Sequence, residues 1–165
     1  MLQLGTFMKE VKLKRIGIKS YDRFYPVFRR ALLTDFLHLP LRRKKYFLRK
    51  IWSKKNFKKR FKRGKIGIFS VRKDKTIAFI VVSSEIGGIS LLRWIWVDKN
   101  FRNKGIGKRL VKRGEKWAQT KNCHKLRFIT DGRNRGFYLK LGFVIEGIRK
   151  KDRYKKDFYL FGKFI

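Results

Sequence analysis

The chain has one cysteine (Cys123), two histidines (His38, His124), two prolines and eleven acidic side chains in 165 residues. A lone cysteine excludes an intrachain disulfide and suits a reducing, cytoplasmic compartment. So few Cys and His leave no set of ligands for a zinc site, and no metal is expected. The longest wholly apolar run, Ile77 to Val82, is far too short to span a bilayer. Residues Met1 to Met8 lack a basic stretch followed by an apolar one, so they do not read as a signal peptide. The shortage of acid is the most consequential absence. Lys and Arg number 47 against 11 carboxylates, a formal charge of +36. The chain cannot neutralise that excess itself, so an anionic partner is expected: RNA, the ribosome, an acidic membrane face or an acidic protein.

Hydrophobic residues are 43% and aromatics 16%, enough for a real core and against wholesale disorder. The charge is uneven. Residues 42–65 hold 14 basic and no acidic residues, whereas residues 66–100 hold 5 and 3. The nearly neutral stretch is the one to bury as sheet. No repeat and no Pro/Gly/Ser linker appears, so residues 1–165 read as one domain.

Periodicity then gives the elements. Val11 to Ile18 reads as a strand, and Tyr21 to Leu37 as a helix with Ser20 as its N-cap and Pro26 in its early turns. In the basic segment Phe47/Ile51, Leu48/Trp52 and Phe57/Phe61 are i,i+4 pairs, a helical signal whose phase slips near Ser53. Its aromatics serve either base stacking or core packing. Lys65–Val71 and Thr76–Ser83 form a hairpin, Glu85–Gly88 a turn, and Ile89–Val97 a central strand covered on both faces. Gly105–Thr120 is a helix, Lys125–Thr130 a strand, and Asn134–Leu141 a short helix ended by Gly142. Phe143–Arg149 and Tyr154–Ile165 complete a mixed α/β fold (α+β) with a largely antiparallel sheet.

One segment carries chemistry. After the strand ending at Val97 comes a basic loop, Arg102-Asn103-Lys104-Gly105-Ile106-Gly107-Lys108, that opens a helix. Free amides at such a helix start, with the positive helix end, suit a phosphate group. The loop is not a Walker A sequence, because Arg occupies 102 and 109, where Gly and Ser/Thr belong; Leu110 stands where a dinucleotide fingerprint needs Gly. Taken alone, the glycines serve either a phosphate site or tight turn and helix packing.

Downstream, Phe137-Tyr138-Leu-Lys140-Leu-Gly142-Phe143 follows the strand 125–130, and Glu146-Gly147 comes three residues later. Together with Arg102-x-x-Gly105-x-Gly107, this resembles the GNAT superfamily of acetyl-CoA-dependent N-acetyltransferases, most clearly over residues 90–145. The Gly142-Phe143-x-x-Glu146-Gly147 tail is similar to members that acetylate protein N-termini. The resemblance implies a sheet splayed between its fourth and fifth strands. It implies pantetheine lying beside Ile95, Trp96 and Val97, and pyrophosphate on residues 102–107 with Lys108 close by. It also implies Asn134 touching the cofactor, and Tyr138 donating a proton to the leaving thiolate. From its residues alone, Tyr138 is either that donor or a ring packed on the sheet. Many members place a Glu near the fourth strand as base, but residues 89–97 contain no acid. Glu85, Asp131 or a water chain remain as alternatives, and His124 reads as a surface residue. The charge directs the expected acceptor to RNA, aminoacyl-tRNA or a protein on nucleic acid or the ribosome. The competing reading is a non-catalytic RNA-binding or ribosome-associated protein on a degenerate transferase fold.

Overall fold

The computed structural model describes residues 11–165; the expectation about Met1 to Met8 lies outside them. In chain order the strands are β1 (Lys12–Arg15), β2 (Ile66–Arg72), β3 (Thr76–Ser84), β4 (Ile89–Val97), β5 (Lys125–Thr130), β6 (Val144–Arg149) and β7 (Phe158–Phe164). The helices are α1 (Ile18–Thr34), α2 (Leu41–Arg49), α3 (Lys54–Lys62), α4 (Ile106–Gln119) and α5 (Arg135–Leu139). One sheet runs β1-β2-β3-β4-β5-β7-β6. Every neighbouring pair is antiparallel except β4–β5. The mixed, largely antiparallel architecture read from the sequence is the one observed.

Each face of the sheet carries its own core. On one face α4 lays Leu110, Val111, Trp117 and Ala118 over Ile80, Val82, Leu92 and Leu126. On the other, α1, α2 and α3 bury Phe24, Phe28, Trp52 and Phe57 against Phe79, Trp94 and Trp96. The second core is held by ring edges meeting ring faces: Phe57 stands perpendicular to Trp52, with centroids 4.9 Å apart. This settles the role of three aromatics in the basic segment, while Tyr46 stays exposed. Trp52, Phe57 and Phe61 are core residues and are not open to stacking with bases.

Two local expectations need correction, while the phase slip near Ser53 marks the break it suggested. The first strand ends at Arg15, and the first helix starts at Ile18, with Gly17 in the cap position and Ser20 inside the first turn. That helix also stops earlier, at Thr34, and the chain then turns through Asp35, whose carboxylate takes the Trp96 indole N–H at 2.5 Å. The basic segment is two helices. Ile51 and Trp52 fall in the turn between them, and Ser53 accepts from the Asn56 amide at 3.3 Å to cap the second. The phase slip was therefore a genuine break.

Helix α4 approaches the sheet closely because of two glycines. A Cβ on Gly114 would meet Val82 at 3.1 Å, and one on Gly67 of β2 would sit 2.6 Å from the Trp117 ring. The indole cannot give way without leaving the core. Gly67→Ala should destabilise the fold by ~1–3 kcal/mol through overpacking. Thermal denaturation should show a drop of about 5 °C, and an unchanged midpoint would contradict this packing.

Candidate active site

The site begins with a mismatch between two strands. β4 and β5 pair only from Ile89 opposite Lys125 to Leu91 opposite Arg127. Two partners then draw them apart. β5 stays in register with β7 along its whole length, to Thr130 opposite Tyr159. β4 stays with β3, but Arg93 is an extra residue there: Val82 faces Leu92 while Val81 faces Trp94. Such a bulge adds local twist and turns the strand away from its old partner. The result is a cleft that opens from Leu92 toward Val97.

The backbone lining of the cleft follows from strand alternation. The Asp98 amide donates to Ile77 O at 2.9 Å. Polar groups of Trp96 and Trp94 therefore point at β3, while those of Ile95 and Val97 point into the cleft. Of the three expected cofactor neighbours on this strand, two present hydrogen-bonding backbone and one does not. Trp96 instead fixes the loop after α1 through its indole bond to Asp35.

At the mouth, Asp98 caps a short turn by accepting the Asn100 amide at 3.0 Å. Arg102 reaches back, its Nε donating to Val97 O at 3.1 Å. Asn103 (φ 59°) and Gly105 (φ 74°) take left-handed backbone, which reverses the chain into α4. The first helical bond runs from Arg109 N to Gly105 O at 3.1 Å, so the amides of Ile106, Gly107 and Lys108 precede the ladder. Among the described residues no side chain caps this helix and no acid lies in its first turn, which suits its positive end to an anion. Lys108 is exposed beside these amides, Lys104 lies over the Phe101 ring, and the Ile106 side chain is buried below. Gly107 has a second duty: a Cβ there would meet Phe137 at 3.1 Å, so it also lets α5 dock on the start of α4.

Tyr138 comes from α5. Its ring lies 4.3 Å from that of Phe128, the first β5 residue beyond the last β4–β5 pair. It therefore stands over the apex of the cleft. Phe137, Phe161 and Phe143 surround it, and burial pushes its phenol up to about 12. Gly142 (φ 82°) ends α5 as read from the sequence, and Phe143 N closes onto Tyr138 O at 3.2 Å. Asn134 caps the start of α5 with its carbonyl, accepting from Tyr138 N at 3.3 Å; its side chain is exposed and makes no cap bond.

The carboxylates named as bases are engaged elsewhere. Glu85 lies at the closed end of the cleft, accepting from Ser83 Oγ and from Arg93, each at 2.6 Å. Burial pushes its carboxyl up, but those hydrogen bonds and the Arg93 and Arg60 charges outweigh it, leaving it below the usual range. Asp131 follows β5 at the open end; Arg133 binds it at 2.9 Å and overcomes burial to hold it low as well. Both carboxylates stay charged and weakly basic. His124 is exposed at the closed end, stacked on Phe164.

Spacing gave no sign of His38. The loop after α1 seats Phe36 on Trp94, with centroids 5.2 Å apart, and the His38 ring against Phe36 at 5.8 Å. His38 is thereby carried to the face opposite α4, within electrostatic range of Arg133, Asp131, Lys156 and Lys44. Burial first, then the Arg133 charge, lower its pKa, so it is a neutral imidazole at pH 7. Contacts of Asp35 with Trp96 and of Phe36 with Trp94, both distant in sequence, bring it there.

Among the described residues no three His, Cys, Asp or Glu side chains cluster as metal ligands, and no helix is long and apolar enough to cross a membrane. No curated protein matches the sequence significantly. Solved structures share the fold. The PaiA N-acetyltransferase of Thermoplasma acidophilum, in complex with coenzyme A, superposes with a TM-score of 0.72 at 19% identity, over 94% of this chain and 99% of that one. A GNAT-family acetyltransferase of Streptococcus pneumoniae gives 0.69 at 24%, over 94% and 99%. The ribosomal-protein-S18-alanine N-acetyltransferase of Escherichia coli gives 0.67 at 17%, over 94% of each chain. A sequence model described as Acetyltransferase (GNAT) family matches residues 27–143, well over half of the chain. The chain therefore belongs to the GNAT acetyltransferase family, whose co-substrate is acetyl-CoA.

Proposed function

We propose that the protein transfers acetyl from acetyl-CoA to an amine on RNA, on aminoacyl-tRNA or on a ribosome-bound protein, by direct attack within the cleft. The parting of β4 from β5 beside an uncapped α4 carries the reading. It offers an extended, hydrogen-bonding slot that ends at an anion site. Acetyl-CoA supplies an activated acyl group with an anionic diphosphate handle. The loop 102–107 and Lys108 hold that handle, and the inward amides of Ile95 and Val97 orient the chain and meet the carbonyl oxygen as it gains charge. Tyr138 keeps its proton to well above neutral pH and gives it to the departing sulfur. Asn134 lies at the outer edge and steadies the cofactor there. His38 takes the proton from the acceptor ammonium on the opposite face.

The charge supports the acceptor class. Arg42, Arg43, Lys45, Arg49 and Lys50 are all exposed on and just after α2. Many phosphate contacts are therefore available to a nucleic acid. The E. coli enzyme of similar fold is named for an alanine of a ribosomal protein. The lone thiol fits a cytoplasmic setting. Labelled acetyl-CoA incubated with separate tRNA, rRNA and peptide pools should leave label on one of them; label on none would end the reading.

Two substitutions divide the roles. Tyr138→Phe keeps the ring packing and removes the donor. Steady-state kinetics should show kcat down on the order of 10²-fold, with KM for acetyl-CoA within about threefold of wild type. In wild type, kcat/KM should fall as pH drops below the depressed His38 value, because protonation removes the base. His38→Gln should lower the plateau and abolish that acid limb; an unchanged pH profile would exclude His38.

A further inference from the structure

A second cavity lies at the far edge of the sheet, about three strands and ~15 Å from the cleft, given the usual strand spacing. It measures ≈ 690 Å³ and is enclosed by β1, the start of α1 and the β2–β3 turn. Among the described residues, Lys12, Lys14, Arg15, Arg23, Arg72 and Lys73 line it together with one carboxylate, Asp74. That charge alone is ordinary for this protein. Two further features are not.

The 17-residue helix α1 opens into this cavity through Ser20. Gly17 in its cap position supplies no side-chain acceptor, and its first turn holds no acid. The Ser20 amide is already spent on Gly17 O at 3.0 Å, so the helix lends this cavity its positive end rather than a free amide. Ser70, on β2 between Lys14 and Phe79, also lines the cavity. It is 1% exposed and its Oγ has no hydrogen-bond partner. A buried hydroxyl without a protein partner is rare and marks a place for one. Phe24 forms an apolar wall beside it.

We propose that this cavity is a phosphate-binding site separate from the coenzyme cleft, in which the Ser70 hydroxyl, Lys14 and Arg23 grip one phosphate group beside the positive end of α1. The cavity has room for more than one phosphate, so the group can arrive attached to something larger. It is carried either in a phosphodiester chain or on a small free phosphate. The site does not depend on acetyl transfer, so its failure leaves the cleft untouched.

Titration with inorganic pyrophosphate at fixed 0.1 M salt tests it, in an Arg102→Ala/Lys108→Ala background that weakens the α4 site. Lys14→Ala/Arg23→Ala should lower the remaining affinity about tenfold or more, the effect of losing charge-assisted hydrogen bonds. Ser70→Ala, which leaves the charge unchanged, should lower it about threefold or more. Lys112→Ala/Lys116→Ala, the same charge removed from exposed positions on α4, should change it less than about twofold. If the Lys14/Arg23 pair does not fold, Ser70→Ala decides. A short single-stranded RNA titrated in parallel separates the sources. Loss of RNA affinity in the cavity variants assigns the phosphodiester, and loss confined to pyrophosphate assigns the small phosphate. Equal losses in the cavity and control pairs, or no effect of Ser70→Ala, would overturn the proposal.

Discussion

The separation of β4 from β5 is the constraint on which the rest of the site depends. Two strands in the middle of a sheet ordinarily satisfy each other, and leaving their backbone groups unpaired is costly. Here each is held more firmly by its outer neighbour. β7 keeps β5 straight along six residue pairs, while β3 and the extra residue Arg93 twist β4 away. The backbone groups of Ile95 and the Val97 amide are then available to an extended ligand, while Val97 O is taken by Arg102. α4 begins where β4 ends, so the same divergence brings three free amides to the mouth.

The two cores divide the labour. The α4 face is shaped by glycines, which let a helix and an aromatic residue lie close to the sheet and set Tyr138 over the apex. The opposite face is stiffened by interlocked rings around Phe28 and Phe57. That stiffness carries Asp35, Phe36 and His38 to the face of the sheet opposite α4. It also explains how so cationic a chain folds. Its like charges lie on outer surfaces of α2, α3 and α4, and the one deeply buried lysine among the described residues, Lys44, donates to Leu33 O at 2.8 Å.

Much of this was legible in order along the chain. The glycine-bearing loop, the neutral sheet segment and the Phe137–Phe143 stretch are local patterns, and each landed on the element its spacing implied. The unreadable parts depend on partners distant in sequence. Nothing around Trp96 says that its polar backbone faces β3, because that depends on which residue of β3 stands opposite. Nothing around His38 reveals a cleft formed by residues some 60 to 90 positions later. Ser70 looks like any strand serine until β1 and α1 close over it. The helix boundaries slipped for a simpler reason: Gly17 and Asp35, not Ser20 and Leu37, are where the chain must turn to meet the sheet.

Backbone amide chemical shifts during titration with acetyl-CoA bear most directly on the divided sheet. Resonances of Ile95, Val97 and Ile106 to Lys108 should move together and saturate with one dissociation constant, while those of Trp94 and Trp96, bonded into β3, move far less. Saturable binding that leaves Ile95, Val97 and the first turn of α4 unmoved would show that the coenzyme is held elsewhere, and the account of the cleft would be wrong.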